Sequence, residues 1–154
     1  MKANLFVALA ASGLLFAGTS SAQEKKIKRS DLPPAVEKTV AAQSEGATIK
    51  GFSTEKENGQ TLYEAEMTVN SHSKDISMTA DGAIVEIEEQ VAFDSLPANV
   101  KAGLQVKAGK GKILKVESLT KKGKLVAYEA KVDTNGKKSE VQVGPDGKPL
   151  DHEE

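Results

Sequence analysis

The chain has 154 residues, with 21 Lys+Arg against 22 Asp+Glu, 38% hydrophobic residues and no cysteine or tryptophan. Near-balanced charge gives no electrostatic drive towards nucleic acid or an anionic membrane. The lack of cysteine excludes disulfides, thiol catalysis and thiolate metal sites, and two Tyr and four Phe are too few for a dense aromatic binding surface.

The amino-terminal segment reads as an export signal. Lys2 gives a short positive start, "LFVALAASGLLFAG" (5–18) is an apolar run of leader length, and Ser20 and Ala22 stand at −3 and −1 before Gln23. Small residues at those two positions form a cleavage site. The run is shorter than the ~20 apolar residues of a bilayer span, and no cysteine follows it to carry a lipid. A signal peptide over 1–22 is expected, then a mature periplasmic or secreted chain with no membrane insertion after cleavage. Losing Lys2 takes one from the 21 cationic residues and none from the 22 acids, a net charge of −2. Phe6 and Phe16 leave with the leader, and Phe52 and Phe93 remain.

"SDLPPAVEKTVAAQ" (30–43) predicts a helix. Ser30 or Asp31 is placed to cap it, and Pro34 falls in the first turn, where a missing N–H costs nothing. Val36 and Val40 share one face. "ATIKGFSTEK" (47–56) and "TLYEAEMTV" (61–69) predict strands joined at Asn58-Gly59, a strong hairpin pair. In the second, Tyr63, Ala65, Met67 and Val69 alternate with Glu64, Glu66 and Thr68, giving one buried face and one wet. "KDISMTA" (74–80) turns Ile76 and Met78 inward, and Asp81-Gly82 supplies a turn before the strand "AIVEIEEQV" (83–91).

"DSLPANVKAGLQVKA" (94–108) predicts a second helix whose inner face carries Val100 and Leu104. Gly103 weakens it by about 1 kcal/mol relative to alanine. Both helices are short enough to need a sheet beneath them. "GKGK" (109–112) reads as the loop that follows, and "KILKVESLTKKGKLVAYEAKV" (112–132), "KKSEVQV" (137–143) and "PDGKPL" (145–150) repeat the strand pattern.

The two halves use the same words in the same order. Leu32, Pro33 and Val36 match Leu96, Pro97 and Val100 at a spacing of 64, as Ile49 matches Ile113 and Gly59 matches Gly123. Tyr63-Glu64-Ala65 matches Tyr128-Glu129-Ala130 at 65, as does Asp81-Gly82 with Asp146-Gly147. A one-residue insertion near Gly123 accounts for the shift, and the shared order points to a tandem repeat of about 64 residues. The expected fold is α+β, with units over 23–90 and 91–154, each a short helix on an antiparallel sheet of three to four strands. Tyr63 and Tyr128 are expected to cover the helix–sheet contact, and Gly82 and Gly147 to allow the turns.

The "LP…V" helix starts, the "G…YE" strands and the "DG" turns resemble the PepSY-like domains of bacterial exported proteins. The closer likeness is to the beta-lactamase-inhibitor-like, PepSY-like domains, and it runs from about Lys26 to Leu150. That resemblance implies a helix packed on an antiparallel sheet in each repeat, no catalytic residues, and roles in protein inhibition or binding outside the cytoplasm. It carries no functional residue onto this chain.

The residues themselves spell no reaction. His72 lies in "VNSHSKD" and His152 in "DHEE", without an HExxH arrangement; His72 is the one weak metal candidate. No serine lies in a GxSxG elbow, "GKGK" lacks a phosphate-loop pattern, and no cofactor is expected. Charge does gather locally. Glu64, Glu66, Glu86 and Glu88 form an expected acidic patch, and Lys121, Lys122 and Lys124 a basic hairpin, with Lys137-Lys138 expected nearby. The exposed sheet face, rimmed by the hairpins at 56–60 and 120–124, is the expected binding surface. The reading is a non-enzymatic module for an unidentified periplasmic protein or peptide, possessing no nucleic-acid site. A small-ligand or metal-ion sensor of the envelope, and an envelope protein without a discrete ligand, stand as alternatives.

Overall fold

The computed structural model describes residues 24–57, 59–152 and 154; the expected signal peptide lies outside them. Eight strands form one antiparallel sheet in chain order: β1 Lys25–Ile27, β2 Thr48–Glu57, β3 Gln60–Val69, β4 His72–Met78, β5 Ile84–Val91, β6 Lys112–Lys121, β7 Lys124–Thr134 and β8 Lys137–Val143. Helix α1, Pro34–Gln43, precedes β2, and α2, Ala98–Ala108, lies between β5 and β6. The fold is α+β. What composition and spacing left open is the join: β5 pairs with β6, Glu86 opposite Lys121 through Val91 opposite Val116, so the halves share one sheet. The second half has three strands, and Pro149-Leu150 is outside any of them.

The helix starts differ from expectation for a local reason. Ser30 and Asp31 belong to a 3-10 turn, Arg29–Asp31, in which Asp31 accepts the Lys28 N–H at 3.1 Å. A residue before proline is pushed out of helical geometry. Leu32 and Pro33 are accordingly extended, at ψ 138° and 146°, and the helix starts only at Pro34. Leu96-Pro97 repeats this before α2, with ψ 151° and 146°.

Both helices cover the same face of the sheet. Val36 and Val40 pack with Leu32, Phe52, Ala65, Met67, Ile76 and Met78; Val100 and Leu104 pack with Leu96, Val116, Ala130, Val132 and Val143. The strand alternation read from the sequence holds, since Ala65, Met67, Ile76 and Met78 are all buried. Tyr63 and Tyr128 are half-buried at the edges of these two clusters.

The Asp-Gly turns dock onto the helices. Thr39 Oγ1 donates to the Gly82 carbonyl at 2.8 Å, and Asn99 Nδ2 donates to the Asp146 carbonyl at 2.8 Å. Gly82 and Gly147 have φ of +80° and +77°, and a Cβ on either would meet helix backbone, at 2.5 Å from Ala35 O and 2.2 Å from Asn99 O. These glycines are therefore needed for both backbone geometry and close approach. Gly103 has a second role that helix propensity hides: a Cβ there would lie 2.1 Å from the Gly147 carbonyl oxygen. Gly103→Ala should destabilise the protein by about 2 kcal/mol through overpacking, where propensity alone predicts a gain. Urea unfolding of the variant distinguishes the two signs.

Candidate functional site on the open face of the sheet

The alternation that buries one face sends every second side chain to the other. Cross-strand register puts Ser53, Glu64, Ser77, Glu86 and Lys121 in one row across β2 to β6. A second row runs Glu66, Asp75, Glu88, Leu119 and Ala127 across β3 to β7. A third runs Gln90, Glu117, Glu129 and Gln142 across β5 to β8. Among the described residues no helix lies over this side.

Glu64, Glu66, Glu86 and Glu88 thus share one surface, as charge patterning predicted. Lys121 joins them directly, its Nζ 3.4 Å from Glu86. Lys122 lines a cleft of about 240 Å³ with Glu55, Glu57, Leu62 and Glu86, so the β2–β3 and β6–β7 hairpins do meet at one rim. Lys124 is exposed at the start of β7. Lys137-Lys138 is not nearby: it begins β8 at the far end of β7, about 30 Å from Lys124 at strand rise. His72 is exposed, with Nδ1 3.0 Å from the Asn70 carbonyl oxygen. It pairs with Val69, on the helix side, whereas Asp75 three positions later faces the opposite side. His152 is exposed near the carboxyl end.

Four carboxylates that matter were missed by reading charge runs, since each stands alone among neutral or basic neighbours: Glu55, Asp75, Glu117 and Glu129. Alternation through "KVESLTK" would have found Glu117 on the Lys115, Leu119 and Lys121 face. Its side chain is only 2% exposed and is compensated by Lys115 Nζ at 2.5 Å, Lys131 Nζ at 3.8 Å and the Ser73 hydroxyl at 3.2 Å. Lys115 Nζ also donates to Ser73 Oγ at 3.1 Å. Ser73 thus bridges the two, accepting from the lysine and donating to the Glu117 carboxylate.

The first half of the face is the opposite case. A pocket of about 160 Å³ is lined by Glu55, Glu64, Asp75, Ser77, Glu86 and Glu88. Among the described residues, only Glu86 of these acids has a cation within salt-bridge distance. Burial, then the charges of Asp75, Glu24, Glu66 and Glu55, push Glu64 up to about 7. Burial, then Glu86, Glu117 and Glu129, push Glu88 up to about 8. Burial also raises Asp75, Glu129 and Glu55 above the usual carboxylate range. Desolvated like charges hold their protons more tightly for this reason.

Between the unfolded value of ~4.3 and the folded values of about 7 and about 8, the native state keeps protons that the unfolded chain has lost. Stability therefore falls as pH rises through that window. Tm should drop between pH 5 and pH 8 by on the order of 5 °C. The paired amides Glu64→Gln and Glu88→Gln should flatten that profile and raise Tm at pH 8; thermal melts at a series of pH values check both.

No protein-family model matches this chain, and no curated protein sequence does. Solved structures match its fold. A protein of Bacteroides eggerthii described as periplasmic aligns at 17% identity over 77% of this chain and 86% of its own, with TM-score 0.62. A DUF2874 family protein from Bacteroides ovatus aligns at 18% over 77% and 84%, with TM-score 0.59. A BLIP-like protein from Bacteroides fragilis aligns at 18% over 75% and 81%, with TM-score 0.54. This chain is similar to them in fold. Among its described residues no helix is long and apolar enough to cross a membrane.

Proposed function

We propose that this chain is an exported, non-enzymatic binding module that seats a protein or peptide on the open face of its sheet. Its parts are a leader over 1–22 and two PepSY-like repeats over 23–90 and 91–154, fused through the β5–β6 pair. The observation that carries the reading is the asymmetry of the sheet. Two helices cover one side, while the other bears a dense set of partly desolvated carboxylates beneath no described element. Fold likeness to proteins described as periplasmic and BLIP-like supports the reading of an exported binding protein.

A metal-ion reading has one observation in its favour: carboxylate oxygens of Asp75, Glu88 and Glu117 lie within 4.8 Å of one another. Against it, Glu117 is already held by Lys115 and Lys131. A cation bound there would face two ammonium groups.

The test is capture from an exported-protein extract, comparing the native protein with a variant carrying Glu86→Lys, Glu88→Lys, Lys121→Glu and Lys122→Glu. Circular dichroism establishes that the variant is folded. A partner held by the native protein, lost with the variant and bound again when purified supports the module. Absence of any such partner at micromolar bait removes it.

A further inference from the structure

The open face is two surfaces in one. Across β6 to β8, Glu117 has cations in Lys115 and Lys131 and Glu140 has one in Lys131 at 3.5 Å, while Glu129 accepts a hydrogen bond from the Gln142 amide at 2.9 Å. The carboxyl-terminal segment also returns to this half, where the Glu154 N–H donates to Gln142 Oε1 at 2.9 Å and its carboxylate lies 3.7 Å from Lys121. Across β2 to β5 the charges are unmatched. Glu55, Glu64, Asp75 and Glu88 have no cation within salt-bridge distance among the described residues, and no lysine lines their pocket. Lys26 on β1 comes no nearer than the position opposite Ser53.

A second observation points the same way. Ser53 is 1% exposed, and its hydroxyl has no hydrogen-bond partner. It stands directly opposite Glu64 in the β2–β3 pair, on the same side of the sheet. A buried polar group without a partner is uncommon and costly, and here it sits beside unneutralised acids.

Resting on the binding-module reading, we infer that the pocket bounded by Glu55, Glu64, Asp75, Ser77, Glu86 and Glu88 receives a lysine or arginine side chain of the protein partner. Charge complementarity selects a cation, and size selects a side chain. The pocket of about 160 Å³ is on the order of ten times the space that a single water needs. A bare ion of water size would leave most of it unfilled. An ammonium or guanidinium group has several donors and can satisfy more than one of these carboxylates at once. The acids across β2 to β5 supply the anionic side of the contact, and the Lys121–Glu86 pair closes its edge.

The probe is a fluorescein-labelled hexalysine peptide, titrated against the purified protein by fluorescence anisotropy at pH 8 and low salt. Its fully Nζ-acetylated counterpart and calcium chloride are run in parallel. Hexalysine should bind, the acetylated peptide should not, and the double variant Glu64→Gln/Glu88→Gln should weaken binding by about tenfold or more. A charge-matched variant on the other side, Glu45→Gln/Asp94→Asn, should keep nearly full affinity. Equal weakening by both variants would overturn the proposal, because attraction would then follow net charge and not this pocket. So would undiminished binding by the Glu64/Glu88 variant, or no binding by the native protein. Saturable calcium binding that is lost in the same variant would reassign the pocket to a metal ion. The amide substitutions relieve repulsion, so retained Tm shows that lost binding is not lost folding. A captured natural partner that ignores Glu64→Gln/Glu88→Gln would leave the module standing and this inference fallen.

Discussion

The β5–β6 ladder is the contact on which the molecule's surface depends. Six residue pairs, from Glu86–Lys121 to Val91–Val116, turn what would be two small sheets into one. On the helix side this ladder brings Ile87 opposite Thr120 and Val91 opposite Val116, next to the two hydrophobic clusters. On the other side it brings Glu86 against Lys121, Glu88 against Leu119 and Gln90 against the buried Glu117. Unjoined, each half would have an unpaired strand at this edge, a row of open N–H and C=O groups that invites pairing with other chains.

One-sided coverage does the rest. A period of two side chains per strand repeat leaves no third place for a charged residue. Once α1 and α2 occupy one side, the in-register acids Glu64, Glu66, Asp75, Glu86 and Glu88 fall on the other, while Glu89 stays on the helix side, paired with Lys74 at 3.1 Å. Burial then raises the proton affinity of Glu64, Asp75 and Glu88, and crowding by like charges adds to it. The face is thereby destabilised relative to one with alternating charge, a kind of local cost that proteins tend to retain where a partner removes it on binding. The matched half under β6 to β8 demonstrates that this sheet can neutralise its own acids, since Glu117 is more deeply buried than any of the unmatched ones yet is held by Lys115.

Backbone requirements explain the repeated words better than side-chain chemistry does. The Leu-Pro pairs mark where an extended approach gives way to helix, and the Asp-Gly pairs mark where a turn presses on that helix. Gly103 belongs to the same contact from the helix side. Read as helix propensity it looks like a weakness; read against Gly147 it is the residue that permits α2 to approach the turn.

Alternation and turn chemistry, both local, were enough to place both helices, though not their first residues, the inward faces of β3 and β4 and the hairpin at Gly59, and a composition without cysteine excluded thiol chemistry. They also sufficed to bring Glu64, Glu66, Glu86 and Glu88 to the wet side, because each strand's facing is a property of that strand alone. Strand-to-strand neighbours are not local. That Lys121 reaches Glu86, that Asp75 stands beside Glu88, and that Glu117 lies buried under two lysines follow from which edges pair and in what register. The same holds for His72, whose sequence neighbourhood of polar residues says nothing of the side it faces. Only the tertiary structure decided those, since pairing energy is set between segments tens of residues apart.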